Sequence, residues 1–200
     1  MTKITSRSKQ AEKTKNKIYK NGVKLIIKRG YDNITVEQIS KAAGVSVGTY
    51  YYYFKSKFEL IREIYKKGDE YFLKEVAGKL KCSTLKDQII EFFDAYASFN
   101  INNGIDMVKN LYNPDNKMFI TDGRAMQQIL VDIIEYWKNN GDLIKESSSI
   151  EICRILFIAA RGVIYNWCLY DGSLNLNKEM NIVISKMIDG IIYETINTKL

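Results

Sequence analysis

The sequence predicts an all-α protein of about nine helices, and three observations carry this prediction. A single proline, Pro114, interrupts 200 residues, and proline is the residue that most strongly ends helices. Apolar residues recur at steps of three and four over most of the chain, which is the spacing of one helix face. Residues suited to helix caps stand between these segments.

Composition and charge indicate a soluble globular protein with one basic end. The chain is 46% hydrophobic and 26% charged, as is usual for such proteins. Residues 1–67 hold 16 Lys and Arg against 5 Asp and Glu, whereas the rest holds 14 against 18. The basic end is suited to a polyanion, but nucleic acid, a membrane surface and a merely solvated face all fit this charge.

Several classes of protein are disfavoured. There is no signal-peptide pattern and no uncharged apolar run of 18 residues, so we expect a cytoplasmic protein without a membrane segment. The absence of histidine, of a glycine-rich phosphate loop and of a nucleophile motif argues against an enzyme, and no cofactor or metal is expected. Cys82, Cys153 and Cys168 are predicted to be small buried residues, with a redox-sensing thiol as the alternative.

The first helix is predicted over residues 9–29. Its inward face is expected to consist of Ala11, Ile18, Gly22, Leu25 and Ile26. A glycine inside a helix costs about 1 kcal/mol relative to alanine, so Gly22 suggests that a neighbouring helix packs closely there. Gly30 is expected to end the helix in the left-handed conformation.

Two short helices follow and form a helix-turn-helix pattern. Thr35 is a candidate N-cap for a helix that ends at Gly44, with Val36, Ile39 and Ala43 facing inward. Ser46 can cap a third helix that runs to about Phe54. Helices joined by so tight a turn are typical of DNA-binding heads.

The remaining chain also follows helical spacing. Ser56 can cap a fourth helix that runs to about residue 76. Further helices are predicted over residues 84–100, 104–112 and 121–140, the last ended by Gly141, and then from a cap at Ser149 to about 170 and from Asn177 to about 195. We place the boundary between a head of residues 1–55 and a body of residues 56–200.

Residues 35–57, TVEQISKAAGVSVGTYYYYFKSK, closely resemble the DNA-binding signature of the tetracycline-repressor (TetR) family, together with Gly30-Tyr31 before them and Leu60 after them. The strong match covers about residues 18–61, and the rest agrees in length and helical character. The resemblance implies a three-helix DNA-binding head followed by a helical body that binds a ligand and dimerises.

The DNA-contacting residues are predicted partly from helix physics and partly from the resemblance. Ser46 and Thr49 are short polar residues at a helix N-terminus, which suits a phosphate or base edge. The resemblance implies DNA contacts for Tyr51, Tyr53, Lys57 and Thr35, and sequence-reading positions at Val47 and Tyr52. Tyr50 stands where the family usually has a buried leucine, and a tyrosine hydroxyl there could reach solvent at the rim. The full set is Thr35, Ser46, Val47, Gly48, Thr49, Tyr51, Tyr52, Tyr53 and Lys57.

The cap residues and the tyrosine run of this segment also have a purely structural interpretation. Thr35, Ser46 and Ser56 could act as helix caps and nothing more. The run of four tyrosines from Tyr50 to Tyr53 could be core filler, although successive helical residues point about 100° apart and cannot all be buried.

The body is rich in aromatic residues, most of which must form the core. The resemblance implies that its helices enclose a pocket, and aromatic linings suit apolar or flat ligands. The predicted lining residues are Phe93, Tyr96, Tyr112, Trp137 and Phe157. Arg161 is interpreted either as the counter-charge of a ligand or as part of an interfacial salt bridge.

The last two helices are the usual dimer face of the family. Ala159, Ala160 and Gly162 would permit close helix approach, and the expected apolar stripe consists of Ile182, Ile184, Met187, Ile188 and Ile191. Two-fold symmetry would place two heads about 34 Å apart on a palindromic operator. The sequence therefore predicts a homodimeric repressor released from double-stranded DNA by an apolar or aromatic small-molecule effector. The alternative is a ligand-independent DNA-binding protein that recruits a partner protein or organises DNA.

Overall fold

The computed structural model describes residues 6–112, 116–121, 123–140 and 148–197, and these residues are all helical or irregular. Nine α-helices are present in this part of the chain, which confirms the predicted fold class. Their bounds are α1 Ser6–Arg29, α2 Val36–Ala43, α3 Val47–Tyr53, α4 Lys57–Tyr71, α5 Leu85–Asn103, α6 Ile105–Leu111, α7 Ala125–Asn139, α8 Ser149–Leu169 and α9 Leu176–Asn197. A π-helical segment, Phe72–Val76, follows α4, and a 3₁₀ helix, Lys117–Ile120, precedes α7.

The chain forms two compact units. The first contains the described residues of Met1–Lys66 and Asn103–Asn113, and the second those of Lys67–Asn102 and Pro114–Leu200. The sequence predicts a boundary between residues 55 and 56, whereas the units divide inside α4. The α6 helix joins the first unit because it packs on α1.

The helix ends of the first unit follow the predicted local chemistry. The Thr35 side chain accepts a hydrogen bond from the Gln38 N–H, and the Gln38 side chain accepts one from the Thr35 N–H, so a complete capping box begins α2. Gly44 ends α2 with φ +60° and Gly30 follows α1 with φ +81°. Side chains with a Cβ rarely adopt this conformation, so both glycines are required by the backbone.

Close packing of α1, α2 and α4 forms the core of the first unit. Ile18, Ile39 and Leu60 have no exposed surface. A Cβ at Gly22 would lie 2.5 Å from Leu60 Cδ1, which is closer than real Cβ contacts. The close approach predicted at Gly22 is therefore confirmed, and α4 is the helix that makes it.

An aromatic cluster lies at the centre of the second unit. Its members are Phe72, Phe92, Phe93, Tyr96 and Phe157, and each is at most 6% exposed. The α8 helix supplies Phe157 and packs on both α7 and α9. Its length and composition would also allow it to cross a membrane, but half of its most apolar window is buried inside the protein, as in the core helix of a globular domain.

Two predicted segment ends differ from the structure. The helix expected to continue to residue 76 loses α-helical geometry after Tyr71, where the Ala77 N–H bonds to the Phe72 carbonyl in the π pattern. The helix expected from residue 121 begins at Ala125, after the N-cap residue Arg124. The stop predicted at Gly141 lies outside the described residues.

One predicted helix cap, at Ser149, is also wrong. Ser149 is the first residue of α8 itself, and its buried hydroxyl has no hydrogen-bond partner among the described residues. The Asn177 amide donates to Asp94 Oδ1 at 2.7 Å and to Ser98 Oγ at 3.1 Å, so Asn177 ties α9 to α5. Asn175 accepts the Lys178 N–H and begins α9.

The cysteines follow the prediction in two of three cases. Cys153 and Cys168 are buried, and burial raises the pKa of the Cys153 thiol to about 12. Cys82 is half-exposed instead. Its pKa is raised chiefly because its thiol is hydrogen-bonded to Glu91.

Candidate functional site

The start of α3 is organised by Ser46 and Thr49. The Ser46 side chain accepts the Thr49 N–H at 3.0 Å, and the two hydroxyl oxygens lie 2.9 Å apart. Ser46 is therefore the N-cap of α3, as predicted. Its side chain is exposed and that of Thr49 is half-buried, so both hydroxyls can still meet a partner outside the chain.

The four tyrosines divide between the core and the surface, as steps of 100° require. Tyr50 is fully buried, whereas Tyr51 is 44% and Tyr52 is 73% exposed; Tyr53 is half-buried. The Tyr50 hydroxyl does not reach solvent, because it donates to the Ser56 carbonyl at 3.2 Å. Burial raises the pKa of Tyr50 well above its usual value.

Gly48 lies on the exposed side of α3 with open space around it. The nearest atom to an added Cβ would be Ser46 Oγ at 3.7 Å, which is an ordinary contact. Nothing described in the chain therefore requires a glycine at this position, although glycine weakens a helix by about 1 kcal/mol. This side of α3 leaves room for the close approach of another molecule.

Lys57 has a structural role that the sequence does not predict. Its ammonium donates to the carbonyls of Tyr31 at 2.7 Å and Ile34 at 3.0 Å, and it lies 4.0 Å from the centre of the Tyr31 ring. These contacts join the start of α4 to the segment before α2. Two of the three N–H groups of Lys57 are used in this way.

Lys17 is a second cation at the helix-turn-helix motif, and the sequence does not predict its position there. Its Nζ lies 3.4 Å from the position that a Cβ at Gly44 would occupy. The contact joins residues 27 positions apart, so no short-range spacing indicates it. The exposed groups near the two short helices thus include Thr35, Ser46, Gly48, Tyr51 and Tyr52, with Lys17 beside the turn.

Three of the five predicted pocket residues come together, but as members of the aromatic cluster. The Phe157 ring centre lies 5.4 Å from that of Phe93 and 5.7 Å from that of Tyr96. Trp137 donates from Nε1 to Gln88 Oε1 at 3.1 Å. Tyr112 belongs to the first unit, where it ends α6.

The described part of the second unit contains two cavities that these five residues do not line. One of about 310 Å³ lies among α5, α7 and the chain after the π-helical segment, and its lining is Ala77, Gly78, Leu80, Gln88, Ile129, Asp132, Ile133 and Tyr136. The other, of about 280 Å³, lies between α8 and α9. Trp137 is linked to the first cavity through its bond to Gln88.

The surface of α8 and α9 differs from the predicted dimer stripe. Ala160, Ile184 and Ile188 are buried within their own chain, because they pack α8 on α9. Apolar residues that are exposed in this region include Ile158, Tyr165, Leu169 and Ile182. On α8 they recur at steps of seven and four, which places them along one helix face.

Arg161 is half-buried beside the aromatic cluster. Its Nε–H donates to the Phe157 carbonyl at 2.9 Å and its Nη1–H to the Phe119 carbonyl at 2.7 Å. The guanidinium carbon also lies 5.6 Å from the Phe119 ring centre. Among the described residues no carboxylate forms an ion pair with it. The described residues likewise contain no group of three or more Cys, Asp or Glu placed to hold a metal ion.

Comparison with known sequences gives one family match and one relative. Residues 18–64 match the family model described as bacterial regulatory proteins, tetR family. The chain is similar to the uncharacterized HTH-type transcriptional regulator YerO of Bacillus subtilis (strain 168), with 23% identity over 194 residues. The match covers 89% of this chain and 64% of YerO, so the chain spans less than two thirds of that relative.

Comparison with solved structures shows the fold over most of the chain. The transcriptional regulator FadR from Bacillus subtilis, solved in complex with stearoyl-CoA, gives a TM-score of 0.70 at 20% identity and covers 88% of this chain and 98% of its own. The TetR-family repressor FadR of Thermus thermophilus, solved with lauroyl-CoA, gives a TM-score of 0.62 at 18% identity, with 88% and 94% covered. At these identities the likeness concerns the fold.

Proposed function

We propose that the chain is a TetR-type, sequence-specific DNA-binding repressor that a small-molecule effector releases from a palindromic operator. The match of residues 18–64 to the tetR family model supports this proposal. One observation supports the proposed DNA binding. The α3 helix buries Tyr50 and exposes Ser46, Gly48, Tyr51 and Tyr52 on its other side, which is what a helix that enters the major groove needs.

The proposed DNA contacts divide by chemistry. Thr35, Ser46, Thr49, Tyr53 and Lys57 carry donors suited to phosphate oxygens, which fix position without reading sequence. Val47, Tyr51 and Tyr52 are the proposed readers of base edges, and Val47 suits a thymine methyl group. Gly48 would let the DNA approach the helix backbone.

The proposed effector is an apolar or aromatic molecule held by the second unit. Two structures of similar fold contain acyl-CoA ligands, so long-chain acyl compounds are the first class to test. Phe93, Tyr96, Trp137 and Phe157 stay the proposed contacts, whereas Tyr112 belongs to the first unit and is left out. The close packing of the aromatic cluster supports a second candidate, a DNA-binding protein without an effector whose body recruits a partner protein.

The repressor is proposed to act as a cytoplasmic homodimer through α8 and α9. The exposed residues Ile158, Tyr165, Leu169 and Ile182 support this face, since a second copy would remove them from water. Two heads related by two-fold symmetry would read the two halves of a palindrome.

The test is a binding titration with the DNA upstream of the protein's own gene and with a scrambled duplex, over a series of salt concentrations. Tyr51→Ala should weaken binding to the upstream DNA by about 10- to 100-fold, which corresponds to about 1–3 kcal/mol, and should leave scrambled DNA nearly unchanged. Tyr136→Ala is the matched control, because Tyr136 is an exposed tyrosine of the second unit.

Equal binding to both duplexes, or equal effects of the two substitutions, would contradict sequence reading by α3. Release of bound DNA by an acyl-CoA would separate the effector-controlled repressor from the partner-recruiting candidate. Binding that is selective but insensitive to every acyl compound would favour the second candidate.

A further inference from the structure

Arg161 is a cation in a strongly apolar helix, and the described residues do not neutralise it. The other arginines near the ends of α7 and α8 have acidic partners: Arg124 pairs with Asp69 and Arg154 with Glu151. Arg161 bonds to two carbonyl oxygens instead. An arginine stays charged at any physiological pH, so this half-buried position holds a permanent positive charge.

The guanidinium retains donors for a further partner. Two of its five N–H groups are used by the carbonyls of Phe157 and Phe119. Its planar fork matches the paired oxygens of a carboxylate or phosphate. Removing an ion from water is costly unless an opposite charge compensates, so an anion at this position would be bound more strongly than on an open surface.

Apolar surface surrounds this charge. Phe157, one helical turn before Arg161, packs against Phe93 and Tyr96 of the aromatic cluster, and the half-exposed Phe119 ring lies against the guanidinium. The field of Arg161 also reaches further along α8. Burial raises the pKa of Cys153, two turns away, and the charge of Arg161 acts in the opposite direction.

We propose that Arg161 binds the anionic group, a carboxylate or a phosphate, of an effector whose apolar body packs against the half-exposed Phe119 ring. This inference rests on the proposed function, because it assigns one contact of the effector in the second unit. The ligand is then an anionic amphiphile rather than a neutral apolar molecule.

The test compares three probes with the same twelve-carbon chain, dodecanoate, dodecyl phosphate and 1-dodecanol, each below its micelle concentration. Their binding to the full chain without DNA is measured by calorimetry. Wild type should bind at least one anion about tenfold or more tightly than dodecanol, since hydrogen bonds to charged groups are the strong ones. Arg161→Gln should weaken the binding of that anion by about 10- to 100-fold and change the affinity for dodecanol by less than about threefold.

Arg154→Gln is the matched control, because Arg154 lies on the same helix with an exposed side chain. It should leave all three affinities within about threefold. Arg161→Lys retains the charge without the planar fork and should retain part of the preference for the anion. If Arg161→Gln does not fold, as judged by circular dichroism, Arg161→Lys and the wild-type probe series decide.

Two results would overturn the proposal. The first is wild type that binds neither anion more tightly than dodecanol. The second is an Arg161→Gln protein whose affinity for dodecanol falls as much as its affinity for the anion. This result is expected if Arg161 only binds the Phe119 carbonyl. Since DNA is absent, failure of this inference leaves operator selection untouched, and failure of operator selection leaves the anion measurement valid.

Discussion

The α3 helix of the first unit and the aromatic cluster of the second unit present their aromatic residues in opposite ways. In the first unit, Tyr51 and Tyr52 of the short helix α3 are exposed beside a buried Tyr50. In the second unit, Phe93, Tyr96 and Phe157 are all buried in one cluster. Aromatic side chains are thus partly exposed on α3 and fully packed in the cluster.

The difference shows which functional residues a sequence can indicate. A helix of seven residues has one buried side and one exposed side, so a run of tyrosines must divide between them. A helix inside a bundle can be buried on most sides, and an aromatic residue there contributes to packing whether or not a ligand ever touches it. The substitutions below test this contrast in order of decreasing effect.

Phe93→Ala should have the largest effect on stability. The side chain is fully buried between Phe92, Tyr96 and Phe157, and removing such a ring costs about 3–5 kcal/mol. Urea denaturation followed by circular dichroism measures the change. Tyr136→Ala, at an exposed position, should change the free energy of unfolding by less than about 0.5 kcal/mol. A cost below about 1 kcal/mol for Phe93→Ala would mean that the ring lines open space rather than fills the core.

Asp69→Ala should have the next largest effect, because this carboxylate serves two elements. It accepts hydrogen bonds from the Arg124 guanidinium at 3.3 Å and from the Met126 N–H at 3.1 Å, so it joins α4 to the start of α7. Loss of these partly buried bonds should cost about 2 kcal/mol. The measurement is the urea midpoint.

Glu59→Ala is the control for Asp69→Ala on the same helix. Glu59 pairs with Arg62 at 2.6 Å, but both side chains are exposed, and such pairs contribute less than about 0.5 kcal/mol. Equal costs for the two substitutions would show that the Asp69 contacts do not stabilise the second unit.

The sequence indicates more of the first unit than of the second because its determinants are local. Thr35, Gly44 and Ser46 act on residues within five positions of themselves, and such caps can be recognised in a short window. By contrast, Asn177 acts on Asp94 and Ser98, about 80 residues away. The helix start predicted at Asn177 lies within one residue of the observed start at Leu176, but no local pattern shows that the Asn177 amide bonds to another helix.

The contrast also applies to single side chains of the predicted sites. The resemblance implies that Lys57 binds the DNA backbone. The structure shows that Lys57 also binds the protein carbonyls of Tyr31 and Ile34, which lie more than 20 residues away in the sequence. Phe93 and Phe157 are predicted as pocket lining from helical spacing alone. Spacing identifies the inward side of a helix, but it does not distinguish a cavity wall from a filled core.

Lys57→Ala should therefore lower both stability and DNA binding. Loss of its two hydrogen bonds to carbonyls should reduce the free energy of unfolding by about 1–2 kcal/mol. Loss of a phosphate contact should reduce the salt slope, which is the slope of the logarithm of the DNA-binding constant against the logarithm of the salt concentration, by about 1 in magnitude. Lys55→Ala is the control, because Lys55 is an exposed neighbour. Loss of stability with an unchanged salt slope would assign Lys57 a structural role without a DNA contact.

Gly48→Ala should have the smallest effect on stability and the opposite sign. The added Cβ would meet Ser46 Oγ at 3.7 Å and nothing closer, so the greater helix propensity of alanine should raise the free energy of unfolding by about 0.5–1 kcal/mol. The methyl group would also occupy the space proposed for DNA, so affinity for the upstream duplex should fall. Gly22→Ala is the control with a Cβ 2.5 Å from Leu60 Cδ1, and it should destabilise the protein by about 1–3 kcal/mol. A Gly48→Ala protein that is more stable and binds the upstream DNA as tightly as wild type would show that this side of α3 does not approach the duplex.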